Sequence, residues 1–191
     1  MPPDVLGLPQ SRPLTYADLD ALRDAVDDGH RYELVDGVLV VSPSPRHVHQ
    51  RGVGNLYLVV RAACPDDLEV LLAPFDVRLA DDTVLQPDLL VARRRDVTER
   101  NLPTTPVLAI EVLSPSTRSF DLHLKKDRLR RAGCAHYWVV DPGVPSVVAW
   151  RLVGEGEDAE YVEAGRAAGQ EEMRLGEPFA VSVVPHALVE R

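Results

Sequence analysis

The chain lacks the features that mark secreted, membrane-spanning or disulfide-stabilised proteins. It has only two cysteines, Cys64 and Cys134, which are too few for a disulfide framework and are expected as small core residues. No apolar run approaches the roughly 20 residues that span a bilayer. The N-terminus has neither the basic start nor the apolar stretch of a signal peptide. These absences predict a cytoplasmic protein without a membrane partner.

Positive charge is also scarce, because 30 acidic residues oppose 21 lysines and arginines and leave a net charge of -9. This charge argues against non-specific coating of nucleic acid, but it leaves room for a local basic site. Most basic side chains are expected on solvated faces. They fall into two groups: Arg93, Arg94 and Arg95, and then Arg118, Lys125, Lys126, Arg128, Arg130 and Arg131.

Several common catalytic motifs are missing as well. The sequence has no glycine-rich phosphate loop of either common type and no Gly-x-Ser-x-Gly elbow. His47 and His49 are close together, but neither cysteine is near enough in sequence to suggest a zinc cluster. His49 remains a minor candidate for a site role at the start of the second predicted helix.

The length of 191 residues predicts one domain with a substantial core. Residues 1–13 are rich in proline and glycine and are expected to form a flexible arm, which leaves residues 14–191 as the domain. Thr15 is the expected N-cap of a first helix that ends near Gly29.

The elements that follow indicate a mixed α/β fold, with a central mixed sheet flanked by helices. Asp36-Gly37 stands between the strand-like runs Arg31–Val35 and Val38–Val41 and predicts a tight hairpin. Further helices are predicted at 46–63, with Val48 among its core-facing residues, and at about 120–132. Strands are predicted at about 68–72, 75–80, 88–92, 106–113, 136–140, 146–152 and 159–163. The segment after residue 165 has no clear pattern.

Glu111 is the one ionisable residue in the apolar segment Pro106–Leu113. Both faces of this predicted strand are apolar, so the carboxylate points into protein whichever way the strand lies. A lone buried charge is costly unless a metal ion, a lysine or a shared proton compensates it. Glu111 is therefore a candidate site residue, and a structural ion pair is the alternative.

Three further residues are candidates. Asp88 follows Pro87 at the start of a strand and is either a site residue or an exposed strand-start residue. Lys125 falls on an apolar helical stripe, where it needs an anionic partner, unless it extends to solvent or pairs with Asp121 at i,i+4. Glu33 is explained equally well by function and by an exposed position in the first hairpin.

These residue types suit metal-assisted phosphodiester hydrolysis. Two carboxylates on neighbouring strands can hold Mg²⁺ or Mn²⁺ through oxygen ligands. The metal lowers the pKa of a bound water and stabilises charge on a phosphoryl oxygen. A nearby lysine can orient that water or neutralise the anionic transition state.

Several segments together resemble the Uma-type family of putative restriction endonucleases of bacteria, which belongs to the PD-(D/E)XK nuclease superfamily. The likeness covers about residues 14–185. It is carried, in order, by Arg31–Gly37, Gln86–Leu89, Glu111–Thr117, Asp121, Lys125, Ala132-Gly133 and His136–Pro142.

The resemblance implies a restriction-endonuclease-like core in which Asp88 is the first acid of the motif and Glu111 the second. The usual superfamily lysine would fall at Leu113, and in this family its place is taken by Lys125 on the following helix. Glu33 matches a family acid that is a candidate to complete the metal shell. One departure is Leu129, where family members often carry tyrosine.

The resulting prediction is a magnesium-dependent (or manganese-dependent) endonuclease acting on DNA. Asp88 and Glu111 are its expected metal ligands, and Lys125 and Glu33 complete the catalytic set. A homodimer is expected, with the hairpins Val38–Val41 and Val147–Trp150 as candidate interfaces. The alternatives are an inactive module that binds nucleic acid or protein on the same fold, or a hydrolase of small phosphate esters.

Overall fold

The computed structural model describes residues 8–9, 11–26, 28–115 and 118–190. Its α-helices are α1 (Tyr16–Ala25), α2 (His47–Ala63) and α3 (Lys126–Arg131). Its strands are β1 (Arg31–Val35), β2 (Val38–Ser42), β3 (Leu68–Leu72), β4 (Asp76–Ala80), β5 (Thr83–Leu85), β6 (Leu89–Arg93), β7 (Asn101–Leu102), β8 (Leu108–Val112), β9 (His136–Asp141), β10 (Ser146–Val153), β11 (Glu160–Ala168), β12 (Met173–Leu175) and β13 (Val181–Val183). The predicted mixed α/β fold class is confirmed. Residues 1–7 and 10 of the predicted arm, and Ser116 and Thr117 of the motif, lie outside the described residues.

The start of the first helix and the first hairpin follow local sequence signals, whereas α1 ends at Ala25 and the predicted end near Gly29 is wrong. The side chain of Asp18 accepts hydrogen bonds from the backbone N–H and the hydroxyl of Thr15, both at 2.8 Å, and so caps α1. The hairpin turn places Asp36 and Gly37 at φ +50° and +74°, the left-handed values that a two-residue turn of this type needs. This turn sets the pairing of β1 with β2 and thereby the position of Glu33.

A six-stranded sheet with the order β11-β10-β9-β8-β6-β3 carries Glu111 on β8, and Asp88 directly precedes its strand β6. β6 and β8 run antiparallel, with Leu89 opposite Ile110. Asp88 precedes Leu89 and Glu111 follows Ile110, so the register brings the two acids to the same end of this strand pair. β1 belongs to a second sheet, of order β2-β1-β5-β4-β7.

The third predicted helix begins differently from a regular α-helix. Phe120–Lys125 forms a π-helical turn before α3 continues the same segment. The carbonyl oxygen of Asp121 accepts a 2.7 Å hydrogen bond from the Tyr137 hydroxyl of the neighbouring sheet. Gly133, at φ +80°, ends the helix as its position in the sequence predicts.

The main core packs α2 against the six-stranded sheet, and Leu56 and Val60 are fully buried in it. Val48 was expected in this core but is 41% exposed, because the first turn of α2 directs His49 inward instead. Both cysteines are free and buried, as predicted. In the part of the chain that the structure describes, no helix is long and apolar enough to cross a membrane.

Candidate active site

The structure brings together the four residues that the sequence analysis selected. Glu33 lies on β1, Asp88 directly precedes β6, Glu111 lies on β8 and Lys125 ends the π-helical turn. Glu33, Glu111 and Lys125 are fully buried, and Asp88 is 3% exposed. Asp121, on the same turn as Lys125, adds a further buried carboxylate.

Lys125 holds three of these acids through its ammonium group. Its Nζ lies 3.0 Å from Glu33 Oε1, 3.0 Å from Glu111 Oε1 and 3.6 Å from Asp121 Oδ1. Burial disfavours the charge, but the field of Glu111, Glu33 and Asp121 outweighs it and raises the pKa of Lys125. Because the side chain is fully buried, the alternative of a lysine that extends to solvent is wrong.

Glu111 is only partly compensated. One of its oxygens, Oε1, accepts the hydrogen bond from Lys125, whereas Oε2 is buried without a hydrogen-bond partner among the described residues. Burial, with added repulsion from Asp121 and Asp88, raises the pKa of Glu111 well above its usual range despite the field of Lys125. The site therefore favours either a proton or a further positive charge on this carboxylate.

Glu33 is fixed from two sides, and its alternative as an exposed strand residue is wrong. The backbone N–H of Gln86 donates a 2.7 Å hydrogen bond to Glu33 Oε1. The other oxygen, Oε2, lies 3.6 Å from Arg31 Nε. This arrangement joins the first hairpin to the loop that leads into β6.

Asp88 is engaged at both oxygens. Oδ1 accepts a 2.7 Å hydrogen bond from Arg31 Nη1, and Oδ2 accepts a 2.9 Å bond from the Val112 N–H and lies 3.1 Å from His49 Nε2. Although burial opposes ionisation, these contacts with His49 and Arg31 lower the pKa of Asp88. The alternative of an exposed strand-start residue is wrong.

The charges of this cluster do not balance. Among the described residues, the three carboxylates Glu33, Asp88 and Glu111 share the two permanent cations Lys125 and Arg31, and Lys125 also contacts Asp121. Buried carboxylates without compensation are costly. The cluster thus has an excess of negative charge that a divalent cation would offset.

A cavity of about 1090 Å³ reaches the cluster from one side. Asp88, Arg31 and His49 line it, whereas the fully buried Glu111 and Lys125 do not. Asp88 is therefore the acid of the cluster that a ligand in the cavity meets first.

The oxygen donors suit Mg²⁺ or Mn²⁺. Asp88 and Glu111 would hold the ion, since Glu111 Oε2 is a buried acceptor with no hydrogen-bond partner in the described part of the chain. Within the described residues, no group of three or more His, Cys, Asp or Glu side chains is arranged to hold a metal. A pair of carboxylates is nonetheless sufficient for Mg²⁺, which usually keeps several waters.

Arg31 is the residue that sequence reasoning missed. It belongs to the motif that carried the resemblance, but it was not assigned a site role. A usable signal was its spacing from Glu33, because residues i and i+2 of a strand share a face. His49, a minor candidate, lies beside Asp88.

Comparisons with known proteins bear on the fold and on the family of the chain. The crystal structure of a putative nuclease belonging to DUF820 from Anabaena variabilis ATCC 29413 is similar over 93% of this chain and 98% of that chain, with a TM-score of 0.64 and 19% identity. This likeness supports the fold. None of the curated proteins matches the chain. The model of the Uma2 family, described as "Putative restriction endonuclease", matches residues 16–183. This match confirms the resemblance, and the chain belongs to the Uma2 family.

Proposed function

We propose that the protein is a metal-dependent endonuclease that hydrolyses DNA phosphodiester bonds with Mg²⁺ or Mn²⁺. The observation that carries the proposal is the pair Asp88 and Glu111. Asp88 lines the cavity, and Glu111 has a buried carboxylate oxygen with no hydrogen-bond partner among the described residues. Family membership and the similar fold of a structure described as a putative nuclease support the nuclease class.

Asp88 and Glu111 are assigned as the metal ligands. When bound, the metal supplies a water of lowered pKa and stabilises negative charge on the phosphoryl group. The Val112 N–H and His49 hold Asp88 Oδ2 in place, so the carboxylate is orientated before substrate arrives.

Lys125 and Glu33 complete the proposed site. Lys125 orients Glu33 and Glu111 through its two 3.0 Å contacts and adds positive charge close to the reaction. We assign Lys125 to assist the attacking water and Glu33 to hold Lys125 in position. Glu33 itself is anchored by the Gln86 N–H, so the pair has little freedom to move.

The deciding experiment is a cleavage assay with plasmid and short single-stranded DNA, in Mg²⁺, Mn²⁺ or EDTA. The wild type is compared with Glu111→Gln and with Glu160→Gln, which makes the same chemical change at an exposed position. We expect cleavage by the wild type and Glu160→Gln, and none by Glu111→Gln or in EDTA. Cleavage that survives in folded Glu111→Gln would contradict the assignment.

An inactive binding module is the second candidate. It is favoured by the protein donors that already occupy both oxygens of Asp88. A titration with Mn²⁺ separates the candidates, because the module would not bind the metal through Asp88 and Glu111. The net charge of -9 favours a third candidate, a hydrolase of small phosphate esters, which a chromogenic diester tested beside DNA would reveal.

The same proposal includes a cytoplasmic location and a homodimer. A homodimer suits a nuclease because two active sites can address two DNA strands. Val38 and Val41 on the edge strand β2 are 64% and 47% exposed, which suits an interface. The other candidate hairpin does not, since β10 lies between β9 and β11 and Val147 is fully buried. Light scattering that gives a monomer at micromolar concentration would contradict the dimer.

A further inference from the structure

Arg31 links two acids of the site at the wall of the cavity. Its Nη1 donates to Asp88 Oδ1 at 2.7 Å and to the Gln86 carbonyl at 3.3 Å, while Nε lies 3.6 Å from Glu33 Oε2. The side chain is 20% exposed and lines the cavity, unlike Lys125, which is fully enclosed. Arg31 is therefore the more accessible of the two permanent cations in the cluster.

Arg31 and Lys125 share Glu33 but otherwise contact different acids of the cluster. Lys125 contacts Glu33, Glu111 and Asp121. Arg31 is the permanent cation in direct contact with Asp88. It donates to Oδ1, whereas His49 and the backbone N–H contact Oδ2. A carboxylate oxygen that already accepts a short bond from a guanidinium is a poor ligand for a second cation, because the two positive charges repel each other.

We propose that Arg31 is a built-in counter-cation that competes with the divalent metal for Asp88 Oδ1, and that its guanidinium leaves this oxygen when the metal binds. The inference rests on the proposed function, since it takes Asp88 as a metal ligand. Arg31 then sets the metal affinity of the site as a positioning residue. In the metal-free protein, Arg31 compensates the charge of the Asp88 carboxylate through this contact, and the same contact weakens metal binding.

Replacement of Arg31 tests this competition without an activity assay. Calorimetric titration with Mn²⁺, in the absence of DNA, compares the wild type with Arg31→Met and Arg31→Gln. Arg31→Gln keeps a side chain that can donate to Asp88. It therefore provides a second uncharged variant in case Arg31→Met does not fold. Arg31→Lys retains the charge and is the matched control, and thermal melting verifies that each variant is folded.

We expect both uncharged variants to bind Mn²⁺ about tenfold more tightly than the wild type, which is about 1.4 kcal/mol. Arg31→Lys should remain within a factor of about three of the wild type. A substitution that only disrupted the structure of the site would weaken metal binding. A gain in metal affinity therefore indicates that Arg31 competes with the metal.

Two other outcomes overturn the inference in distinguishable ways. Equal or weaker Mn²⁺ binding by the uncharged variants, with binding lost in Asp88→Asn, overturns the competition but leaves the metal site standing. Absence of Mn²⁺ binding in the wild type and in every variant overturns both the competition and the metal dependence of the proposed function.

Discussion

Lys125 Nζ lies 3.0 Å from both Glu33 Oε1 and Glu111 Oε1, with all three side chains fully buried. One ammonium group thus joins the first hairpin to the central strand β8. The contact is structural, because it compensates buried carboxylates, and it also orients the proposed metal ligand Glu111. Its loss should be visible in stability as well as in activity.

Lys125→Met should lower the free energy of unfolding by about 3–5 kcal/mol, because it leaves buried carboxylates without their cation. Urea denaturation of the metal-free protein measures this. Lys126→Met is the matched control. The Lys126 ammonium lies 3.5 Å from the centre of the Trp150 ring, and loss of this contact should cost less than about 1 kcal/mol.

A double mutant separates this electrostatic effect from lost packing. In the Glu111→Gln background, Lys125→Met should lower the free energy of unfolding by at least about 1 kcal/mol less than it does in the wild type. The reason is that one of the carboxylates that Lys125 compensates is gone. Equal costs in both backgrounds would contradict the ion-pair explanation and point to packing of the lysine side chain.

Gly37→Ala should destabilise the protein, by about 1–3 kcal/mol. The residue has φ +74°, and an added Cβ would lie 2.4 Å from Pro13 Cβ, so both conformation and space require glycine. Thermal melting provides the measurement. Gly54→Ala is the control, since a Cβ there meets nothing within 4 Å in the helix α2. It should stabilise the protein by about 0.5–1 kcal/mol. A neutral Gly37→Ala would contradict the hairpin geometry.

Local signals were sufficient to predict much of this fold. The Asp36-Gly37 turn, the Thr15 cap and the stop at Gly133 act through neighbouring residues, and each lies where the sequence places it. The short strands β5 and β7 were missed, because two or three residues cannot show a period and their pairing depends on distant partners.

The site was predictable for a different reason. A charged residue in an apolar strand or stripe requires compensation, and this requirement selected Glu111 and Lys125 without any knowledge of their contact. Neither Arg31 nor the inward position of His49 follows from such a rule. The spacing of Arg31 from Glu33 indicates a shared strand face, but the contacts of Arg31 and His49 with Asp88 depend on how the hairpin and α2 pack, which periodicity does not determine.

The two cysteines should be protected from alkylation in the native protein. Burial raises the pKa of the Cys134 thiol to about 12, and it also raises the pKa of Cys64. An ordinary thiol, with a pKa of about 8.5, reacts faster as the pH rises from 7 to 9 because more thiolate forms. Cys134 should stay unlabelled by iodoacetamide over this range, as measured by mass spectrometry. Both residues should react in urea, and labelling of native Cys134 at the rate of a free peptide thiol would contradict its burial.

Mg²⁺ or Mn²⁺ should raise the melting temperature of the wild type, because a ligand that binds only the folded state stabilises it. At a metal concentration 100 times Kd the gain is about 2.7 kcal/mol. Asp88→Asn should lose this gain, since the amide keeps the shape of the side chain but not its charge. Asp158→Asn, at an exposed position, should respond like the wild type. If Asp88→Asn gains as much stability from the metal as the wild type does, the ion binds elsewhere, and Asp88 loses its assigned role even if the protein cleaves DNA.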